Sequence, residues 1–128
     1  MSLNNVEEIA TFIVADGKGI LAADESNPTC GKRFDSIGVD STEENRRDYR
    51  ELLFRSKGMK GNIGGVILFD ETIRQEAKDG TLLRDIISDQ GALPGIKVDK
   101  GLQPIEDCPN ETVTVGLDGL DERLKEYS

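Results

Sequence analysis

Two uninterrupted apolar runs, at positions 20–23 and 66–69, and a third strand candidate, PGIKVDKG, alternate with segments of helical periodicity. That alternation constrains the fold most. Strands apolar on both faces must be covered on both, and the covering elements here are helices, so the pattern predicts a parallel sheet with helices outside it. Val6, Ile9, Ala10, Ile13 and Val14 recur at helical spacing before the first strand, with Asn4 or Asn5 as cap and Gly17 and Gly19 as terminators. A second helix is expected from near Ser41, where Ser41 and Glu44 have capping-box spacing. Its apolar stripe is Tyr49, Leu52 and Leu53, with Glu43, Glu44, Arg46, Arg47 and Arg50 on the wet side. Leu82, Leu83, Ile86 and Ile87 mark a short helix stopped by Gly91 and Pro94. Leu117, Leu120, Leu124 and Tyr127 mark a last one. The expected architecture is α/β: an N-terminal helix plus the first three strand–helix units of a partial (β/α)8 TIM barrel, one domain portion over residues 1–128. Three parallel strands with two open edges bury little, and a complete barrel takes ~250 residues. The sequence therefore reads as part of something larger or as a piece that pairs with another chain.

Charge and composition remove several classes of function. Sixteen basic against 25 acidic residues give a net charge of -9. Broad nucleic-acid or anionic-membrane binding is disfavoured, because both need a positive face. No apolar run approaches the ~20 residues that span a bilayer. With no signal-like segment, Cys30 and Cys108 are expected to be reduced thiols of a cytoplasmic protein. Histidine is absent, which excludes Ser–His and Cys–His pairs and histidine metal sites. Acid–base work falls to Asp, Glu, Lys or Tyr.

Each strand candidate runs into charge. Asp24 closes the first, Asp70 and Glu71 close the second, and Lys97, Asp99 and Lys100 lie in or after the third. In parallel α/β folds the carboxyl ends of the strands face the active site. Lys97 sits between Ile96 and Val98, so a buried ammonium there needs a carboxylate or an anion, and Asp24 is a candidate partner. The pair reads as a proton-transfer or imine-forming couple, or as a structural ion pair. Ser26, Thr29, Lys32 and Arg33, in the expected loop after the first strand, read as a phosphate grip or as a solvated charge pair. Gly17-x-Gly19-x-x-Ala22 imitates a dinucleotide fingerprint but precedes its strand, which rules against that use.

GKGILAADES, KRFDSIG, TEENRRDYRELLF, GGVILFDETI, PGIKVDKGL and GLDGLDER, in this order, closely resemble the N-terminal part of class I fructose-bisphosphate aldolase. The resemblance implies a (β/α)8 barrel, commonly tetrameric, that uses no metal or other cofactor and cleaves fructose 1,6-bisphosphate through a lysine imine. By this resemblance Asp24 holds substrate hydroxyls and helps move protons, and Lys97 contacts substrate and phosphate. Ser26 and Arg33 are phosphate-side groups, and Thr29 stands where the family often has serine. Asn27-Pro28 departs from the family's Thr-Gly-type loop. The imine lysine implied by the family lies on a sixth strand that this sequence does not contain. The expectations are a split or truncated aldolase portion, inactive alone, whose partners are a sugar phosphate and a chain supplying further strands. The alternatives are a non-catalytic module of the same fold and, on fold alone, a phosphate-sugar isomerase-like barrel fragment.

Overall fold

The computed structural model describes Leu3 and residues 5–128. It divides into two compact units, Met1–Ile96 and Lys97–Ser128. The first contains α1 (Val6–Ile13), β1 (Gly19–Ala23), α2 (Asn27–Asp35), α3 (Glu43–Phe54), β2 (Ile63–Leu68), a 3-10 turn (Thr72–Arg74), α4 (Leu83–Asp89) and β3 (Leu93–Ile96). The second contains β4 (Leu102–Ile105), β5 (Cys108–Thr114) and α5 (Leu120–Tyr127).

The parallel α/β order expected from the sequence is present: β1, β2 and β3 form one parallel sheet in that order. Partnered residues in a parallel ladder share a face, so Ala23, Leu68 and Ile96 lie on one side and Ala22, Ile67 and Gly95 on the other. The first side is the core. Ala23, Val66 and Leu68 are buried there, along with Phe54 of α3 and Leu83, Ile86 and Ile87 of α4. Each such large side chain withdrawn from water contributes ~1.5–3 kcal/mol. The other side is open at Ile20, Ala22 and Gly95. The complete burial expected of the first strand therefore does not occur, because β1 is an outer strand covered on one face only.

Asn5 caps α1, its Oδ1 accepting from the Glu8 amide at 2.9 Å, whereas the alternative cap Asn4 lies outside the described residues. The apolar stripe of α1 stays largely exposed at Val6, Ile9 and Val14. α1 meets the sheet through its last residue, the half-buried Ile13, which lies against the two glycines that follow Ile63 in β2. A Cβ at Gly64 would lie 2.4 Å from the Ile13 carbonyl oxygen, and one at Gly65 3.2 Å from Ile13 Cγ2. The Gly64-Gly65 pair is thus a requirement of close approach.

Three local expectations are corrected. The segment after β1 is a helix, α2, not a loop. Pro28 in its first turn fixes a helical φ, and Cys30 and Phe34, four apart, are its buried residues. Its polar composition hides it from a search for apolar periodicity. The cap of α3 is Thr42, not Ser41: Thr42 Oγ1 accepts from the Asn45 amide at 3.1 Å. The wet face assigned to α3 is also wrong in part. Arg46 and Arg50 are buried, while Leu52 is 73% exposed.

In the second unit, β4 and β5 form an antiparallel hairpin not anticipated from the sequence. Pro104, Pro109 and Asn110 weaken its strand signal. Residues Glu106 and Asp107 make the turn, with Asp107 at φ 62°. Arg123 of α5 donates to the Val98 carbonyl at 3.0 Å and the Gly116 carbonyl at 2.6 Å, tying the helix to both flanks of the hairpin.

Gly64→Ala is expected to lower unfolding stability by ~1–3 kcal/mol, because the added methyl can be relieved only by moving backbone. Urea unfolding of wild type and variant checks this. An unchanged midpoint would refute the close approach of α1 to β2.

Candidate functional site

The carboxyl ends of β1 and β2 are level, since Ala23 partners Leu68. Two acids leave each strand together, Asp24-Glu25 and Asp70-Glu71, and the second of each pair has a structural use. Arg46 of α3 grips Glu71 with two nitrogens, Nε to Oε2 at 2.9 Å and Nη2 to Oε1 at 2.7 Å. That fork raises the guanidinium above its ordinary pKa. One turn later on α3, Arg50 is fully buried. Its Nη2 donates to the Glu25 carbonyl at 2.6 Å and lies 3.6 Å from Glu25 Oε2. Cys30, whose thiol is pushed up by burial, reaches the same carbonyl.

Glu25 serves a third partner. Arg33 Nη1 donates to Glu25 Oε1 and, at 3.0 Å, to the Tyr49 hydroxyl. The Tyr49 hydroxyl in turn lies 3.3 Å from Glu25 Oε1. The Tyr49 contact, followed by the Glu25 charge, raises the Arg33 pKa. Tyr49 itself is steadied edge-on against Phe34, with centroids 5.6 Å apart.

Ser26, Thr29 and Arg33 share one face of α2, at successive intervals of three and four residues. Ser26 occupies the N-cap position without capping a backbone amide, and its hydroxyl instead meets that of Thr29 at 3.1 Å. Asp24, half-buried directly before this face, has no ion pair or side-chain hydrogen bond among the described residues. Lys97, the first residue after β3, pairs with Asp99. Asp99 also accepts from the Gly101 amide at 2.9 Å, and Lys97 together with that amide holds its carboxyl below the usual range. Lys97 lies beyond the end of β3 rather than within a strand, and the carboxylate that meets its ammonium is Asp99, not the expected Asp24. Glu25, Tyr49, Arg50 and the Arg46–Glu71 pair were missed. The available signal was two arginines four apart on the face of α3 that also carries Tyr49, with a glutamate just beyond each of two strands.

An open groove of about 780 Å³ between the start of α3 and the 3-10 turn is lined by Thr42, Glu43, Arg47 and Arg74 among others, and by none of the expected site residues. Among the described residues no cluster of three or more Asp, Glu or Cys side chains is arranged to hold a metal ion. No helix among them is long and apolar enough to cross a membrane.

The family model for fructose-bisphosphate aldolase class-I matches residues 5–128. A sequence from Xanthomonas campestris described as probable fructose-bisphosphate aldolase class 1 is 54% identical over 127 residues, covering 99% of this chain and 38% of the relative. Fructose-bisphosphate aldolase 1, chloroplastic, of Chlamydomonas reinhardtii is 54% identical over 118 residues, 92% of this chain and 31% of its own. The chain thus spans about a third of the length of the curated relatives it matches. Among solved structures, fructose-bisphosphate aldolase from Plasmodium falciparum, in complex with TRAP and a small molecule inhibitor, superposes with a TM-score of 0.90 at 50% identity. The match covers 93% of this chain and 34% of that one.

Two outcomes test the geometry. Arg50→Met takes away the buried cation facing Glu25 Oε2 and the donor to the Glu25 carbonyl, and is expected to cost about 3 kcal/mol in urea unfolding; a loss no larger than that of an exposed arginine would contradict the buried pair. Asp99 has a depressed folded-state pKa, so the Lys97–Asp99 and Asp99–Gly101 contacts persist down to the unfolded value and are lost only below it. An NMR titration of the Gly101 amide should turn over below the 3.8 of a free carboxyl, and Lys97→Met should move that midpoint up toward 3.8.

Proposed function

The chain belongs to the class I fructose-bisphosphate aldolase family, and on that premise we propose that it supplies part of the substrate site of an enzyme that cleaves fructose 1,6-bisphosphate. The observation that carries the proposal is the shared face of α2, where Ser26, Thr29 and Arg33 follow directly on Asp24 at the carboxyl end of β1. Two hydroxyls and a guanidinium on one face suit a phosphoryl group: the hydroxyls donate to oxygens and the arginine neutralises charge.

Splitting the sugar to dihydroxyacetone phosphate and glyceraldehyde 3-phosphate requires a proton to leave a substrate hydroxyl while an imine accepts the electrons of the breaking carbon–carbon bond. Asp24, which no internal cation neutralises among the described residues, is free to accept hydroxyl hydrogen bonds and to move protons. Lys97, held by Asp99, offers an ammonium to a substrate hydroxyl or phosphate oxygen. The imine-forming amine is assigned to neither, and comes from a strand outside this sequence. The open sheet face at Ile20, Ala22, Ile67 and Gly95 carries small and apolar side chains, which fits the interior of a closed barrel. Assembly as a homotetramer and residence in the cytoplasm belong to the same proposal.

The 128-residue chain is expected to give no measurable cleavage of fructose 1,6-bisphosphate in a dehydrogenase-coupled assay. Borohydride with dihydroxyacetone phosphate should leave its mass unchanged. Turnover at an enzymatic rate, or a trapped adduct on Lys97, would overturn the assignment of roles.

A further inference from the structure

Arg33 is held at one corner only. Nη1 makes both contacts, to Glu25 and to Tyr49, while Nε and Nη2 have no partner among the described residues. The side chain is 53% exposed. A guanidinium fixed at one nitrogen presents its opposite edge as a two-pronged donor, the geometry that engages two oxygens of one phosphoryl group. The clamp is itself anchored. The Glu25 side chain is 9% exposed and faces Arg50, which has no exposure at all. A charged pair buried in this way gives little stability compared with apolar residues of the same volume. What fixes Glu25 is the Arg50 hydrogen bond to its backbone carbonyl at 2.6 Å, with Oε2 of the carboxylate 3.6 Å from the same nitrogen.

We propose that Glu25 is a positioning residue for the phosphate-side guanidinium of Arg33, with Arg50 fixing Glu25 and Tyr49 supplying the second contact. The proposal rests on the assignment of Arg33 to phosphate made above. It differs from a simple ion pair, in which Glu25 would compete with the anion for Arg33. Competition predicts that removing the Glu25 charge tightens anion binding; positioning predicts that it weakens it.

The test is a 31P NMR titration of the chain with inorganic phosphate. Wild type should bind saturably, and Arg33→Ala should weaken that binding about thirtyfold, leaving the residual affinity of the Ser26 and Thr29 hydroxyls. Glu25→Gln should weaken it about tenfold and Tyr49→Phe about threefold, the range expected for loss of one ordinary hydrogen bond. Combined with Arg33→Ala, neither change should have any further effect, because both act through the same guanidinium. A merely structural role would reduce binding in that background too. Tyr49→Phe keeps the ring against Phe34 and the Arg50–Glu25 pair, giving up only the hydroxyl's contacts to Arg33 and to Glu25 Oε1, so it decides the matter should Glu25→Gln fail to fold. If Arg33→Ala weakens binding but Glu25→Gln and Tyr49→Phe bind as tightly as wild type or tighter, positioning is wrong and the phosphate assignment stands. If wild type does not bind, or Arg33→Ala binds as wild type does, both fall together.

Discussion

Two buried guanidiniums on one helix hold the first unit in register. Arg46 and Arg50, one turn apart on α3, reach Glu71 and Glu25, the glutamates that follow β2 and β1. Apolar packing is non-directional and tolerates a helix that slides or rotates over a sheet. The fork that Arg46 makes on Glu71 does not, since a shift of an ångström leaves a charge unpaired in the interior, and Arg50 adds a directional bond to the Glu25 backbone carbonyl. The core of Phe54, Leu68, Leu83 and Ile87 supplies the drive to collapse, and the two arginines fix where α3 stops.

This arrangement explains why the strands end on doubled acids. A single carboxylate at each strand tip would have to choose between holding α3 and meeting solvent or substrate. With two, the division is by position. Glu25 and Glu71 turn toward α3, which leaves Asp24 uncommitted among the described residues and Asp70 at the surface with Arg74. The same device brings Tyr49 and Arg33 together at Glu25, so α2 is attached to the network through its last turn. The face of α2 bearing Ser26 and Thr29 is thereby oriented by a contact made at Arg33. In the second unit, Arg123 does comparable work with carbonyls in place of carboxylates.

Much of the fold was legible where one residue class dominates a segment. The runs 20–23 and 66–69 could be little other than strands, and Leu82, Leu83, Ile86 and Ile87 little other than a helix. Asp24, Ser26, Thr29, Lys97 and Arg33 were identifiable as candidate site residues because they lie where parallel strands emerge. The errors fall where chemistry and burial disagree. A polar helix with two buried residues, α2, passed for a loop, and two arginines passed for a solvated face when they are the inward one. The hairpin β4–β5, almost wholly exposed, has no buried alternation by which to be read.

By itself the sequence determined the class of fold, the family, and which side chains stand at the strand ends, because these follow from local apolar runs and from the order of residues along the chain. Only tertiary structure decided that Glu25 rather than Asp24 is neutralised, that Arg50 points inward, and that Arg33 keeps one edge free. A guanidinium costs much to bury alone and little to bury against a carboxylate, so its fate depends on a partner distant in the chain. Arg50 and Glu25 become neighbours only when α3 closes over β1, and no spacing within either segment records that they will.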